Sequence, residues 1–213
     1  MSAPDRSSDA HLPTPDRELV RALQQAVDSK LVNRLAEEAI KRGDTAAARV
    51  AVFRPFLKPR ILDAFVDLND VKLIELVLNN FYATTTTIDR VLGIQGDIHH
   101  PELRRERAWR YVEHKAAAHF ALSAAGRRFL GNRNDPIVVG AIAYRVDLSD
   151  QEVSQFGFHG SWRVRAPIAY NLSRDPDRNP ELLERLQHDA IDEVARAARG
   201  IEPSFTARGP RWE

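Results

Sequence analysis

From Leu19 onward, apolar residues recur at helical spacing, in short runs broken by turn residues. Leu19, Leu23, Ala26 and Val27 form one stripe, and Thr14 followed by Pro15 supplies a hydroxyl cap and a first-position proline for its helix. Leu31, Leu35, Ala39 and Ile40 form a second stripe, which Gly43 ends as a C-cap. This pair is expected to cover one end of the fold, because the last unit of a stack otherwise leaves an apolar face in water. Residues 1–13 are rich in Ser, Pro and Asp without periodicity and predict a disordered tail.

From Asp44 the helices shorten. Ala46 to Arg54 predicts a helix with Val50 and Phe53 inward, broken by Pro55. Lys58-Pro59 opens another with Ile61, Leu62, Phe65 and Val66. Val71 to Asn80 carries Leu73, Ile74, Val77 and Leu78; after a turn, Thr85 and Thr86 are candidate caps for a helix with Ile88, Val91 and Leu92. The two units share one register. Their second helices align at Leu62 and Ile88, with Val153 and Leu183 downstream, and three residues on stand Phe65, Val91, Phe156 and Leu186. First helices then end at Arg54, Asn80, Arg145 and Asn171, a column expected to satisfy carbonyls at helix ends. The step is 26 residues from Leu62 to Ile88 and 30 from Val153 to Leu183, and Ile142-Ala143-Tyr144 is repeated as Ile168-Ala169-Tyr170. Two short helices at such a period predict a helical solenoid.

The middle departs from this period. After a loop at residues 93–100, Pro101 starts a helical run to about Leu130 with Leu103, Trp109, Val112, Ala116, Phe120 and Ser123 on one face. The alternative is a break near Ala116, with Gly126 as a second weak point. The expected organisation is one solenoid domain over residues 14–199. It comprises capping helices at 14–43, repeats at 44–95, divergent longer helices at 96–133, repeats at 134–199, and a loose tail at 200–213.

The stretch VRAPIAYN…NPELLERL resembles the leucine-rich variant repeat, a member of the HEAT-like α-solenoid group. Val164, Arg165, Ala166, Ile168, Ala169, Asn171, Pro180, Leu183 and Leu186 match one unit; Val138, Ala141, Ala143, Val153 and Phe156 match a second more loosely. The resemblance covers about half the chain. It implies an all-α, right-handed superhelical solenoid that serves as a binding surface, and it implies no chemistry. Pro167 departs from the pattern, predicting a kink or a later helix start. Some members carry an iron–sulfur cluster on a cysteine-rich segment; this chain has no cysteine, so that property does not carry over.

Composition narrows the functional classes. The 213 residues suffice for one core or one extended array, and a net charge of +1 demands no polyanionic partner. Absence of cysteine removes disulfides, thiolate metal sites and cysteine nucleophiles. No apolar run reaches membrane-spanning length and the N-terminus lacks the apolar core of a signal peptide, so the expected location is cytoplasmic. None of the GxSxG, HExxH, GxxxxGK[ST] or GxGxxG patterns occurs, and no catalytic set, cofactor or metal site is expected. His114 and His119 are five apart, about 140° around a helix, and do not converge as ligands.

Two surfaces remain. Trp162, Arg163 and Arg165 place an aromatic among arginines near a turn, the composition of a protein-binding hot spot. Arg104, Arg105, Arg107, Arg110, Arg127, Arg128 and Arg133 make a basic segment interleaved with Trp109, a mix that rides on phosphates and stacks on bases, or else forms a solvated helix face with Glu–Arg pairs. The leading expectation is a non-enzymatic scaffold or adaptor that holds a protein partner. The alternative is nucleic-acid binding through residues 104–133, with a HEAT-like DNA-repair glycosylase as its minor branch.

Overall fold

Short polar side chains start most of the helices. Asp16, Asp28, Asp44, Asp70 and Asp135 each accept a backbone N–H of the first turn they precede, and Thr84, Ser123, Ser149 and Asn179 do the same. The computed structural model describes residues 16–94, 107–133 and 135–204, without the side chain of Arg107. These hold thirteen α-helices and no strand among the described residues. None of these helices is long and apolar enough to cross a membrane.

The chain divides into two units, one ending at Tyr82 and one starting at Ala83. The first contains α1 (Arg17–Gln25), α2 (Ser29–Arg42), α3 (Thr45–Ala51), α4 (Pro59–Val66) and α5 (Val71–Leu78). Within it α1 packs on α3 and α3 on α5, while α2 packs on α4, so helices alternate between two rows. The second contains α6 (Thr85–Leu92), α7 (Arg107–Ala118), α8 (Ala124–Gly131), α9 (Pro136–Ala143), α10 (Asp150–Gly157), α11 (Trp162–Arg174), α12 (Pro180–Gln187) and α13 (Asp192–Ala198). Here α7, α9, α11 and α13 pack in succession, with α6 against α8 and α10 against α12.

The repeated apolar register forms the core. Leu62, Ile88, Val153 and Leu183 are buried, as are Phe65, Val91, Phe156 and Leu186. Each such side chain contributes about 1.5–3 kcal/mol on leaving water. The shared Ile-Ala-Tyr segments place Ile142 and Ile168 at no exposure, at corresponding positions of α9 and α11.

Several expectations need correction. Helix α1 stops at Gln25, which leaves Val27 94% exposed beyond its end. In α2 the buried stripe is Val32, Ala36 and Ala39, one position from Leu31 and Leu35, which are half-buried. Helix α3 ends at Ala51, so Phe53 lies past it and is 71% exposed, while Val50 is half-buried. The run toward Leu130 is two helices, because Ala118 ends α7 and Ser123 caps α8 by accepting from the Gly126 N–H. Phe120 falls in the connector and is exposed. Thr84, not Thr85 or Thr86, caps α6, in a reciprocal arrangement with Thr87. Gly43 ends α2 in the left-handed region, as its position predicts. The Thr14-Pro15 start, the tail at 1–13, Pro101 and Leu103, and residues 205–213 lie outside the described residues.

Pro167 lies inside α11 and is buried. It has no N–H to offer the Arg163 carbonyl one turn back. That carbonyl faces Gly140 of α9 instead: a Cβ added at Gly140 would come within 2.9 Å of it. The glycine thus lets two neighbouring helices approach where the proline has interrupted the hydrogen-bond ladder.

Candidate partner-binding surfaces

The column Arg54, Asn80, Arg145 and Asn171 is built into the fold. The first three lie just past α3, α5 and α9, but Asn171 does not end its helix, since α11 runs on to Arg174. The Arg54 guanidinium donates to the Ala26 carbonyl, and Asn80 Nδ2 donates to Val52 O at 2.8 Å. In the second unit Arg145 donates to His119 O at 2.6 Å and Phe120 O at 3.2 Å, and Asn171 Nδ2 to Ala143 O and Arg145 O at 3.1 and 3.2 Å. Each side chain supplies donors to carbonyls at or just past a helix end. It also ties one first helix to the one before it.

A second set of links runs beside the first. Arg49 of α3 pairs with Asp70, the cap of α5; Arg110 of α7 pairs with Asp135, the cap of α9. Arg165 of α11 makes a two-pronged pair with Asp189, at 2.7 and 2.9 Å, in the turn before α13. Burial pushes the Asp189 carboxyl up, but Arg165 and the Ile191 N–H outweigh it and hold the group below the usual carboxylate range. The same contest, settled the same way by Arg110 and the Ile137 and Val138 amides, lowers Asp135.

These links decide where the expected site residues stand. Arg165 also donates to His159 O and Gly160 O, both at 2.9 Å, so its guanidinium is committed to the turn. Trp162 is half-buried, and the exposed Arg163 lies over its ring at 5.0 Å. Beside them a cleft of about 450 Å³ is lined by Phe158, His159, Arg165, Arg185, His188 and Asp189. Arg185 stacks over the Phe158 ring at 4.1 Å and donates to Gly157 O.

The basic segment is mostly paired. Trp109 is 3% exposed, so its ring belongs to the core and has no face for a base. Arg127, 12% exposed, contacts Glu152 at 2.8 Å and Asp147 at 3.2 Å; Arg133 contacts Glu113 at 2.7 Å and lies over the Phe129 ring. Arg110 is bound to Asp135, which raises its pKa further. Arg128 is exposed, as is the paired Arg110. Arg104, Arg105 and the Arg107 side chain lie outside the described residues. Of the two helical histidines, His119 accepts the Ala121 N–H, while burial lowers the pKa of His114, whose Nδ1 has no partner.

The first unit holds a surface that the periodicity did not anticipate. Phe53, Phe56, Phe81 and Tyr82 are all exposed, with the Tyr82 ring 6.4 Å from Phe56 and 6.3 Å from Phe81. Phe56 adopts a left-handed backbone (φ 64), which is unfavourable for a bulky residue. Buried Asn33 holds that loop, donating to Phe56 O at 3.1 Å and accepting from Lys58 N at 2.9 Å. Next to Phe53 a cleft of about 460 Å³ is lined by Gln24, Arg49, Val50, Phe53, Arg54 and Leu76. The Nε atoms of Arg49 and Arg54 are buried there without a hydrogen-bond partner.

No family model, curated protein or solved structure matches this chain.

Proposed function

We propose that the chain is a non-enzymatic binding module: a right-handed α-solenoid of HEAT-like, leucine-rich-variant-type repeats that acts as a scaffold or adaptor for a protein partner. The observation that carries this reading is the exposed aromatic surface of the first unit: Phe56, Tyr82 and Phe81 in ring contact, and Phe53 on the wall of a cleft. Clustered apolar surface of this kind marks interaction sites in soluble proteins. The links between successive first helices support the repeat reading, because each unit is tied to its neighbour by the same kind of contact. In the second unit Trp162 and Arg163 remain candidate contacts, and Arg165 positions their turn.

Protein is favoured over nucleic acid because Arg110, Arg127 and Arg133 already face carboxylates and Trp109 is buried. The test is purification of the tagged chain from its own cells after chemical cross-linking, with and without nuclease. A stoichiometric protein that survives nuclease and cross-links to the first unit supports the reading. Co-purification of nucleic acid alone, lost in a steep salt series, would replace it with the nucleic-acid alternative.

A further inference from the structure

We propose that the cleft between α1, α3 and α5 takes an acidic peptide segment carrying one large apolar side chain. This deepens the protein-binding reading and rests on it.

Three features of the cleft converge on this ligand. Its walls are Val50, Phe53 and Leu76, and its volume of about 460 Å³ admits a large side chain. Phe53 gains cover only if something else supplies it, since it is 71% exposed. Arg49 and Arg54 also line it, so two guanidinium charges stand beside the apolar walls. Both arginines are held in position by other bonds, Arg49 to Asp70 and Arg54 to the Ala26 carbonyl. The two charges are therefore fixed in place before any ligand arrives.

The surrounding charge has the matching sign. Arg17, Arg21 and Gln24 fall on one stripe of α1, and Gln24 lines the cleft. Lys72 lies one turn before Leu76 on α5. Asp70 and Glu75, the acidic residues of α5 and its cap, are paired with Arg49 and Lys72. Carboxylates flanking an apolar anchor would meet Arg49 and Arg54 in the cleft and Arg21 beside Gln24 on α1.

Peptide fits better than a polynucleotide. A phosphodiester strand has phosphates for the arginines but no aliphatic group for the space between Val50 and Leu76. Those two side chains also give a base no flat platform.

The experiment selects binders for the full-length chain from a random-peptide display library. The enriched peptides are then labelled and titrated by fluorescence anisotropy. Expected are sequences with Leu, Phe or Trp within about one helical turn of Asp or Glu. Binding should weaken roughly tenfold or more for Phe53→Ser and for Arg21→Glu, the scale of a hot-spot contact. It should be lost when the peptide's acids become lysine. Arg21 is exposed, so its reversal and the lysine peptide test the charge claim even if Phe53→Ser lowers stability. Enriched peptides lacking acids, or indifferent to Arg21→Glu, overturn this inference and leave a protein-binding module standing. A labelled single-stranded oligonucleotide that binds more tightly than any peptide and depends on Phe53 overturns both.

Discussion

Asn171 reaches from the last turn of α11 to the carbonyls of Ala143 and Arg145, at 3.1 and 3.2 Å, and so closes the end of α9. One amide thereby supports two helices. Asn171→Ala leaves both carbonyls without this donor and should lower unfolding free energy by about 1–3 kcal/mol in urea denaturation. Asn171→Asp keeps the shape but cannot donate, and should lose at least as much. Stability retained in Asn171→Asp would show that the link contributes shape alone.

Gly140 of α9 lies directly against the Arg163 carbonyl of α11. Because a Cβ at Gly140 would meet the Arg163 carbonyl at 2.9 Å, Gly140→Ala should destabilise by about 1–3 kcal/mol despite alanine's better helix propensity. Thermal melting of the variant checks this; an unchanged or raised midpoint would mean that α9 shifts at no cost.

The Arg165–Asp189 pair ties stability to acid pH. The Asp189 carboxyl is held below its unfolded value of about 3.9. The folded state therefore gains from this group above that value, and the gain is lost as pH falls through the folded pKa. Asp189→Asn should show a flatter decline in stability below about pH 4 than the parent. At neutral pH, Arg165→Ala should cost about 1–3 kcal/mol, since it removes charge-assisted bonds to Asp189 and to the His159 and Gly160 carbonyls. The double variant Arg165→Met, Asp189→Leu should recover part of that loss.

At the alkaline end, burial first, and then Glu202 and Glu193, push the Tyr144 hydroxyl up to about 12. The unfolded chain releases this proton near pH 10, so the contribution is whole below about 10 and is lost as pH rises toward 12. Denaturant titrations across this range should show a decline that Tyr144→Phe reduces. An identical decline in the variant would assign it to other groups.

The sequence made the buried register legible but not the exposed one. Leu62, Ile88, Val153 and Leu183 could be aligned because each lies four residues after a cap and enters the core. The unit formed by α7 and α8 escaped that comparison because Arg127 holds the equivalent place after Ser123, buried as an ion pair with Glu152. Apolar spacing has no way to register a cation doing a leucine's job. A step of 26 residues back from Arg145 to His119 would have found it, since the His119 carbonyl is the one Arg145 holds. The aromatic surface was hidden for a different reason. Phe53 and Phe120 continue helical stripes, yet α3 ends at Ala51 and α7 at Ala118, and beyond a helix end the period no longer points inward. The charged candidates were overrated because composition does not reveal pairing: Arg165 reads as a contact residue until Asp189, 24 positions on, is brought beside it.

The central claim is that the exposed face of the first unit holds a protein. It is tested most directly by calorimetric titration of the co-purifying protein into the full-length chain and its Phe53→Ser variant. The expected result is affinity weakened at least roughly tenfold, about 1.4 kcal/mol, with an unchanged melting midpoint. Equal affinity for both chains would contradict the account.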